Sequence, residues 1–418
     1  MKLLFTFNRT IRTRMLLNFV SNTGSAMVMP YTVVYFSNKI GTAMTTATIL
    51  LVGIFSLLGY LIGGRVTDSV GRKSVILFSE IVAGLGFLFI SYFNSLNHFS
   101  AVPIIVLFCI IYFCESAANP AYSALIIDAS EEHDRRAVYT YFMWISTVAF
   151  AMGSVLGGFF FENYSVLLFF IVGALSLTSA FCTHFFIEET NVLRPKIHGQ
   201  INKRQVGWIG IGASQILILL CTGKLLLTIL TEQFPNYLTI RIVSNYPIGI
   251  ITGYNMVGYL NLEDTLITAF VAGIIIKATS KFSEKAALLT GLILFVAGYV
   301  SLSYFIQPVF LFLGMMFISI GSLIYVPTLQ SIIAKTIPEE SRGSHLSILG
   351  FMGALGGMLA SLFIWGMEHI PEFGITCIYI FIGICIIYNY SFAYRLVSMK
   401  DKKQTASIHH QNEQLFDI

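Results

Sequence analysis

Charge is scarce in this chain. Only 11% of its 418 residues are Asp, Glu, Lys or Arg, against about 25% in a soluble domain. That scarcity excludes a water-soluble globular class. With 56% hydrophobic residues and a mean hydropathy of +0.78, the chain falls among polytopic membrane proteins. Cysteine is sparse as well: Cys109, Cys114, Cys182, Cys221, Cys377 and Cys385 all sit inside apolar runs, and none forms a CxxC pair. A disulfide framework and a thiolate metal site are therefore not expected, and the thiols read as small packing residues. No Walker loop, HExxH, GxSxG or strand-flanked GxGxxG occurs, and His98, His184, His345 and His369 lack ligand spacing. The chain is thus expected to be no enzyme, to hold no metal or cofactor, and to carry no ATP-driven pump of its own. Alternating ten-residue strands are missing too, which leaves helices as the spanning elements. The basic opening MKLLFTFNRTIRTR has no clean apolar core or small-residue cleavage site, so it reads as a retained cytoplasmic lead-in.

What is present is a series of long apolar runs. A hydrocarbon core of ~30 Å takes ~20 apolar residues per helix. Helices are expected near 15–36, 44–64, 74–93, 101–127, 138–161 and 165–187, then near 210–234, 263–280, 286–305, 309–334, 343–366 and 374–397. This makes an all-α integral membrane fold of twelve helices in two six-helix halves. The halves are residues 1–187 and 208–397, joined by a cytoplasmic linker at 188–207 and followed by a polar tail at 398–418, read as disordered. The mixed Pro, Gly, Asn and Tyr stretch 235–262 is expected to be a long outside loop with a short membrane-surface element.

Basic residues test this arrangement independently. With both termini inside, all but three of the 25 Lys and Arg fall on inner segments. The exceptions are Lys39 and Arg241 outside and Lys224 within a helix. Such a bias sets a cell-membrane orientation with cytoplasmic N- and C-termini. It also assigns the net charge of +4 to anionic lipid headgroups, with no nucleic acid. The expected partners are the bilayer and a small-molecule substrate, for a functional monomer.

A weak repeat agrees with two halves. NPAYSALIIDASEEHDRRA and VPTLQSIIAKTIPEESRGS align at a constant offset of 207 residues, placing Pro120 on Pro327, Glu132 on Glu339, Arg135 on Arg342 and Asp128 on Lys335. This is a parallel-repeat transporter plan.

One short turn stands out against the apolar background. GRVTDSVGRKS concentrates Gly64, Asp68, Gly71, Arg72 and Lys73 between the second and third helices. Gly64 and Gly71 remove side chains where the turn must approach a neighbouring helix. Asp68 is placed to face the positive N-terminus of another helix, with SRGS at 341–344, including Arg342, as first candidate and Arg135 as a second partner. Such contacts would hold the inner side shut; the bland alternative is a solvated turn obeying charge bias. A second feature, GSVLGG, carries Gly153, Gly157 and Gly158 in the fifth helix. These glycines permit close helix packing, expected against the other half, while a generic small-residue interface remains an alternative.

These residues carry a resemblance. GRVTDSVGRKSVI is similar to the loop 2–3 signature of the major facilitator superfamily, with Ser69 where that family usually has Arg. GSVLGG is similar to the G-P-x-x-G-G antiporter signature, with Ser154 in place of the proline. In length and layout the chain resembles the twelve-helix, proton-coupled multidrug exporters of Gram-positive bacteria. The resemblance implies a rocker-switch antiporter whose helices 1, 4, 7 and 10 line a central cavity. Those exporters also carry acids early in helix 5 and in the middle of helix 10, where this chain reads VYTYFMWIS and SIGSLIYVP. Fewer acids favour neutral or zwitterionic cargo over lipophilic cations.

Ionisable residues within the membrane are costly, ~2.5–3.5 kcal/mol on the gentlest scale, and so point to function. Glu115 lies about 21 Å along the fourth helix at ~1.5 Å per residue. Lys224 lies within the seventh helix, and Asp128 ends the fourth. These three are the proton-coupling candidates. Glu80 and Glu232 are read as interface residues that snorkel to headgroups. If the fourth and seventh helices face one another, Glu115 and Lys224 pair in one state and separate in another; a static buried pair is the alternative. Asn18, Asn22, Asn119, Tyr122, Trp144, Tyr325 and Gln330 are the substrate-binding candidates, though each alone is more often a helix–helix contact.

The leading function is proton-coupled efflux of amphipathic, drug-like molecules. The alternatives are a symporter or dedicated exporter for one metabolite, peptide or lipid-like molecule, and a receptor on a transporter scaffold.

Overall fold

The computed structural model describes residues 7–96, 100–130, 135–189, 215–246, 251–279, 282–336 and 342–416, without the side chains of Asp68, Ile127, 135–137, Ile276, 334–336, 342–347 and 400–416. Lipid offers no partner to an unpaired peptide group, and the apolar runs accordingly fold as helices, with no strand among the described residues.

Among the described residues, ten helices are long and apolar enough to span a bilayer. Two of them are double-length. The continuous Arg9–Val70 element breaks at Gly41, with φ 77° and ψ 168°, into α1 (9–40) and α2 (42–70). The Arg135–Phe186 element breaks at Tyr164 into α5 (135–163) and α6 (165–186). Between them lie α3 (Arg72–Ser95) and α4 (Ala101–Ala129). The second half comprises α7 (Gln215–Asn245), α8 (Gly253–Thr279), α9 (Glu284–Tyr304) and α10 (Pro308–Thr336). It ends with α11 (Arg342–Ala360, resuming at Leu362–Gly366) and α12 (Glu372–Phe416). Counting both arms of the broken elements, twelve crossings result, as expected.

Helix ends follow local chemistry. Asn8 caps α1 by accepting from the Thr10 N–H at 3.3 Å, and Ser283 caps α9 by accepting from Ala286 N–H at 3.2 Å. The start of α1 precedes its expected position because Phe7, Ile11 and Met15 bury against Val138 and Phe142 at the start of α5.

Two expectations are corrected. The stretch 235–262 is no long loop. Pro235 opens a π-helical turn, Phe234–Leu238, whose Leu238 N–H reaches the Gln233 carbonyl at 2.9 Å, and α7 runs on to Asn245. α8 already begins at Gly253. Its polar residues misled hydropathy because they face protein: Tyr254, Gly258, Asn261 and Thr265 recur at helical spacing and are buried. The polar tail is likewise helical, continuing α12 to Phe416.

The chain forms two compact units. The first contains Met1–Gly199, Gln233–Thr265 and Ser361–His369; the second contains Gln200–Glu232, Leu266–Ala360 and Ile370–Ile418. The division therefore does not follow the midpoint of the sequence: one end of α7 and α8 and the resumed turn of α11 belong with the first six helices. Within that unit the Thr46 hydroxyl of α2 donates to the Ser361 carbonyl at 3.3 Å. Within the second unit α9 packs on α10, and α7 packs on α11 and α12.

Candidate functional site

Inside the first six helices lies a polar cavity of about 330 Å³. α1 supplies Arg14, Asn18, Ser21, Asn22 and Ser25, and α3 supplies Ser79, Glu80 and Ala83. α4 adds Glu115, Asn119, Tyr122 and Ile126; α5 and α6 add Phe142 and Ser176. Asn18 and Asn22 stand one helical turn apart, and so do Glu115, Asn119 and Tyr122 in succession, which is why each set reaches the same space. Of the expected site residues, Asn18, Asn22, Glu115, Asn119 and Tyr122 are thus brought together.

The two asparagines are anchored. Asn18 donates to Ser146 Oγ of α5 at 2.7 Å, and Asn22 donates to the same oxygen at 3.2 Å and to Asn18 Oδ1 at 3.1 Å. Glu115 differs: it is half-buried, and among the described residues no hydrogen bond or ion pair engages its carboxyl.

Beside it sits a charge network that the sequence reading did not anticipate. Arg14 Nη1 donates to Glu80 Oε1 at 2.8 Å, with both side chains more than nine-tenths buried. Ser179 Oγ donates to the same oxygen at 2.8 Å, and the Tyr122 hydroxyl approaches it at 3.4 Å. The Arg14 guanidinium carbon stacks 4.0 Å from the centroid of the Tyr122 ring. One carboxylate therefore ties α1, α4 and α6 to α3. Glu80 is no snorkelling interface residue. It is turned inward because a partnered carboxylate tolerates burial that a lone one does not. Its Oε2 remains buried without a hydrogen-bond partner among the described residues.

The turn between α2 and α3 is held by a carboxylate of the segment that follows α6. Gly71 adopts φ 104°, a backbone that side chains disfavour, and a Cβ there would lie 2.8 Å from the Glu189 carboxylate. That carboxylate accepts from the backbone N–H groups of Arg72 and Lys73, each at 3.0 Å, and so caps the positive start of α3. Lys73 Nζ donates to the His184 carbonyl at 2.7 Å, while Arg72 donates to the Ala124 carbonyl at 3.0 Å and pairs with Asp128. Asp128 therefore belongs with the turn. It lies 13 residues, about 20 Å, beyond Glu115 along α4. Gly64 faces open space, whereas Gly63, one residue earlier, abuts the Ala117 carbonyl of α4. The side chains of Asp68, Arg135 and Arg342 lie outside the described residues.

GSVLGG packs mainly within its own half. A Cβ at Gly153 would meet the Thr23 carbonyl at 2.2 Å, and one at Gly157 the Met27 carbonyl at 2.3 Å, both on α1. Only Gly158 meets the later half of the sequence, at the Tyr254 carbonyl of α8, 2.7 Å away. Ser154 is fully buried and bonded twice: its carbonyl accepts from the Tyr31 hydroxyl at 2.5 Å, and its Oγ accepts from Asn261 Nδ2 at 2.8 Å. Asn255 Nδ2 donates to the Gly158 carbonyl at 3.0 Å. The serine standing in for proline thus supplies a hydrogen-bonding side chain to a polar seam between α5 and α8.

The remaining candidates are not among the lining residues of the cavity. Trp144 is 56% exposed, an apolar side chain pointing away from the interior. In the second unit Tyr325 is buried edge-on to Phe295, with ring centroids 5.1 Å apart, and Gln330 is exposed. Lys224 lies against the glycine face of α11, its Cε 3.1 Å from where a Gly353 Cβ would be. Glu232, electrostatically coupled to Lys224, sits eight residues farther along α7. Because α7 continues to Asn245, Glu232 lies inside the helix and not at its end.

Comparison with known proteins agrees with this architecture. The model of the Major Facilitator Superfamily matches residues 14–361 and 243–412. A Na(+), Li(+), K(+)/H(+) antiporter of Planococcus maritimus is 26% identical over 432 residues, covering 96% of this chain and 99% of that protein. The class B tetracycline resistance protein of Escherichia coli is 25% identical over 310 residues, covering 72% of this chain and 70% of that one. Among solved structures, the nucleoside transporter NupG matches with a TM-score of 0.71 at 14% identity, over 93% of this chain and 100% of that one. The inward-open xylose transporter XylE from E. coli matches with a TM-score of 0.66 at 13% identity, over 92% and 96%. The two solved structures establish the fold.

Proposed function

Since this chain belongs to the Major Facilitator Superfamily, a family of transporters and not enzymes, we propose that it is a proton-coupled antiporter working by alternating access, with Glu115 as the group that carries the proton. The observation behind this reading is the position of Glu115: a carboxyl within a membrane helix, lining a polar cavity, with no hydrogen bond or ion pair among the described residues. An intramembrane carboxyl without a fixed partner changes its protonation as water, proton or cargo reaches it. Similarity to the Na(+), Li(+), K(+)/H(+) antiporter of Planococcus maritimus supports exchange against protons. The basic inner segments support cytoplasmic termini, and a monomer suffices for the mechanism.

Lining chemistry bears on the cargo. Drug-sized ligands are held in pockets lined mainly by apolar and aromatic groups. Here only Ala83, Ile126 and Phe142 among the lining residues lack a polar side chain. That favours a small hydrophilic solute over the amphipathic, drug-like molecules expected from the sequence. Similarity to the tetracycline resistance protein keeps drug efflux as the second reading. Asp128, paired with Arg72, passes from proton coupling to gating, and Lys224 is kept as a proton-coupling candidate.

Reconstituted vesicles with an imposed pH gradient test the role of Glu115. Cargo-dependent collapse of the gradient is expected in the native protein and is expected to be lost in Glu115→Gln. Undiminished exchange by that variant would remove Glu115 from the mechanism.

A further inference from the structure

The charge count of the cavity carries more than a general polarity. Arg14 and Glu80 cancel through their 2.8 Å pair, leaving Glu115 as the only uncompensated charge among the lining residues. The lining is therefore neutral when Glu115 holds a proton and carries one negative charge when it does not. Around that charge stand neutral oxygens rather than further ions. Asn119, Ser21, Ser25 and Ser176 engage in no side-chain hydrogen bond among the described residues, and the Asn22 amide uses only its N–H groups. One carboxylate among amide and hydroxyl oxygens is the donor set of a hard, singly charged cation. A divalent ion would leave one positive charge unbalanced. An organic anion would face the carboxylate, because the Arg14 guanidinium is occupied by Glu80 and by the Tyr122 ring.

We propose that this cavity binds one monovalent inorganic cation, held by the Glu115 carboxylate and the oxygens of Asn22, Asn119 and the cavity serines, in direct competition with the proton on Glu115. The inference rests on the antiport reading and goes beyond it, because it fixes cargo class and stoichiometry together. The balance is simple: the Glu115 O–H bond breaks, the proton leaves to water, and the cation takes its place at the same carboxylate. Each state has the same net charge, so exchange is one for one and electroneutral. The charged and titratable groups that share the cavity with Glu115 are Arg14 on α1, Glu80 on α3 and Tyr122 on its own helix; α5 and α6 present Phe142 and Ser176.

The test uses purified full-length protein in weakly buffered detergent solution, to which NaCl, LiCl, KCl or choline chloride is added while pH is recorded. One proton released per protein is expected with at least one alkali salt and none with choline. Where Glu115 is protonated, apparent cation affinity is expected to fall tenfold per pH unit of acidification, the signature of one-proton competition. Glu115→Gln is expected to release no proton, Asn119→Ala to weaken cation affinity with the stoichiometry unchanged, and the exposed Glu368→Gln to behave as native. Proton release that survives in Glu115→Gln overturns the proposed site. Absence of release with every alkali salt, while vesicles still exchange another solute for protons through Glu115, overturns the cation inference and leaves the antiport reading standing. Alkali exchange that generates a membrane potential overturns the stoichiometry.

Discussion

Arg14 and Glu80 meet at 2.8 Å in the interior of the first six helices, 66 residues apart in sequence and both more than nine-tenths buried. Removing one member of such a pair leaves an uncompensated buried charge and costs ~3–5 kcal/mol. Glu80→Ala is therefore expected to lower the melting temperature in detergent sharply. The double variant Arg14→Met, Glu80→Leu is expected to regain most of that loss, because it leaves no orphaned charge. A double variant as unstable as the single one would show that the pair is not the source of the effect.

Arg72 and Asp128 join the start of α3 to the end of α4, and their side chains are 21% and 32% exposed. A gating contact and a proton site predict different behaviour. Asp128→Asn is expected to slow exchange while leaving the ratio of protons to cargo unchanged, and the charge-swapped pair Arg72→Asp, Asp128→Arg is expected to recover part of the rate. An altered ratio in Asp128→Asn would return that residue to the coupling machinery.

Glu189 caps α3 through two backbone N–H groups. Loss of a cap costs ~0.5–2 kcal/mol. Glu189→Ala is expected to reduce transport at normal expression. Gly71→Ala is expected to be worse, since it adds a Cβ 2.8 Å from that carboxylate and forces φ 104° on a residue with a side chain. Transport rates normalised to protein in the membrane decide this, and an unaffected Gly71→Ala would mean that the turn tolerates rearrangement.

The glycines of the two motifs separate into those that matter by contact and one that does not. Gly158→Val places carbon against the Tyr254 carbonyl, 2.7 Å from the Cβ position, and is expected to abolish exchange. Gly64→Ala meets nothing within 4 Å and is expected to be nearly silent. Paired transport assays in vesicles check both, and equal damage by the two would contradict the packing described.

At the α5–α8 seam, Asn261→Leu leaves Ser154 Oγ buried without its donor, a loss of ~1–3 kcal/mol. The added change Ser154→Ala removes the orphaned oxygen and is expected to restore stability in a detergent melt. Failure of the second change to help would place the cost in packing and not in the hydrogen bond.

The reach of sequence reasoning differed from residue to residue. Asn18 and Asn22, and Glu115, Asn119 and Tyr122, were legible as a set because helical spacing puts residues three or four apart on one face. The Arg14–Glu80 pair was not legible. Each lies near the end of an apolar run, where the default expectation is a side chain reaching for headgroups. Only the three-dimensional approach of α1 to α3 turns both inward. The stretch 235–262 failed for a related cause. Hydropathy measures how well a residue suits lipid, and Asn255, Asn261 and Tyr254 face protein, where hydrogen bonds to Gly158 and Ser154 make polarity favourable.

By itself, then, the sequence determined the membrane class, the number of crossings and the family, all of which follow from local composition and spacing along the chain. Tertiary structure alone decided which charges cancel, that Glu189 caps the start of α3 at the motif turn, and that Ser154 is a bonded node between α5 and α8. The reason is physical: apolar length and charge bias act on each segment separately, whereas the state of a buried polar group depends on what another helix brings within hydrogen-bonding distance.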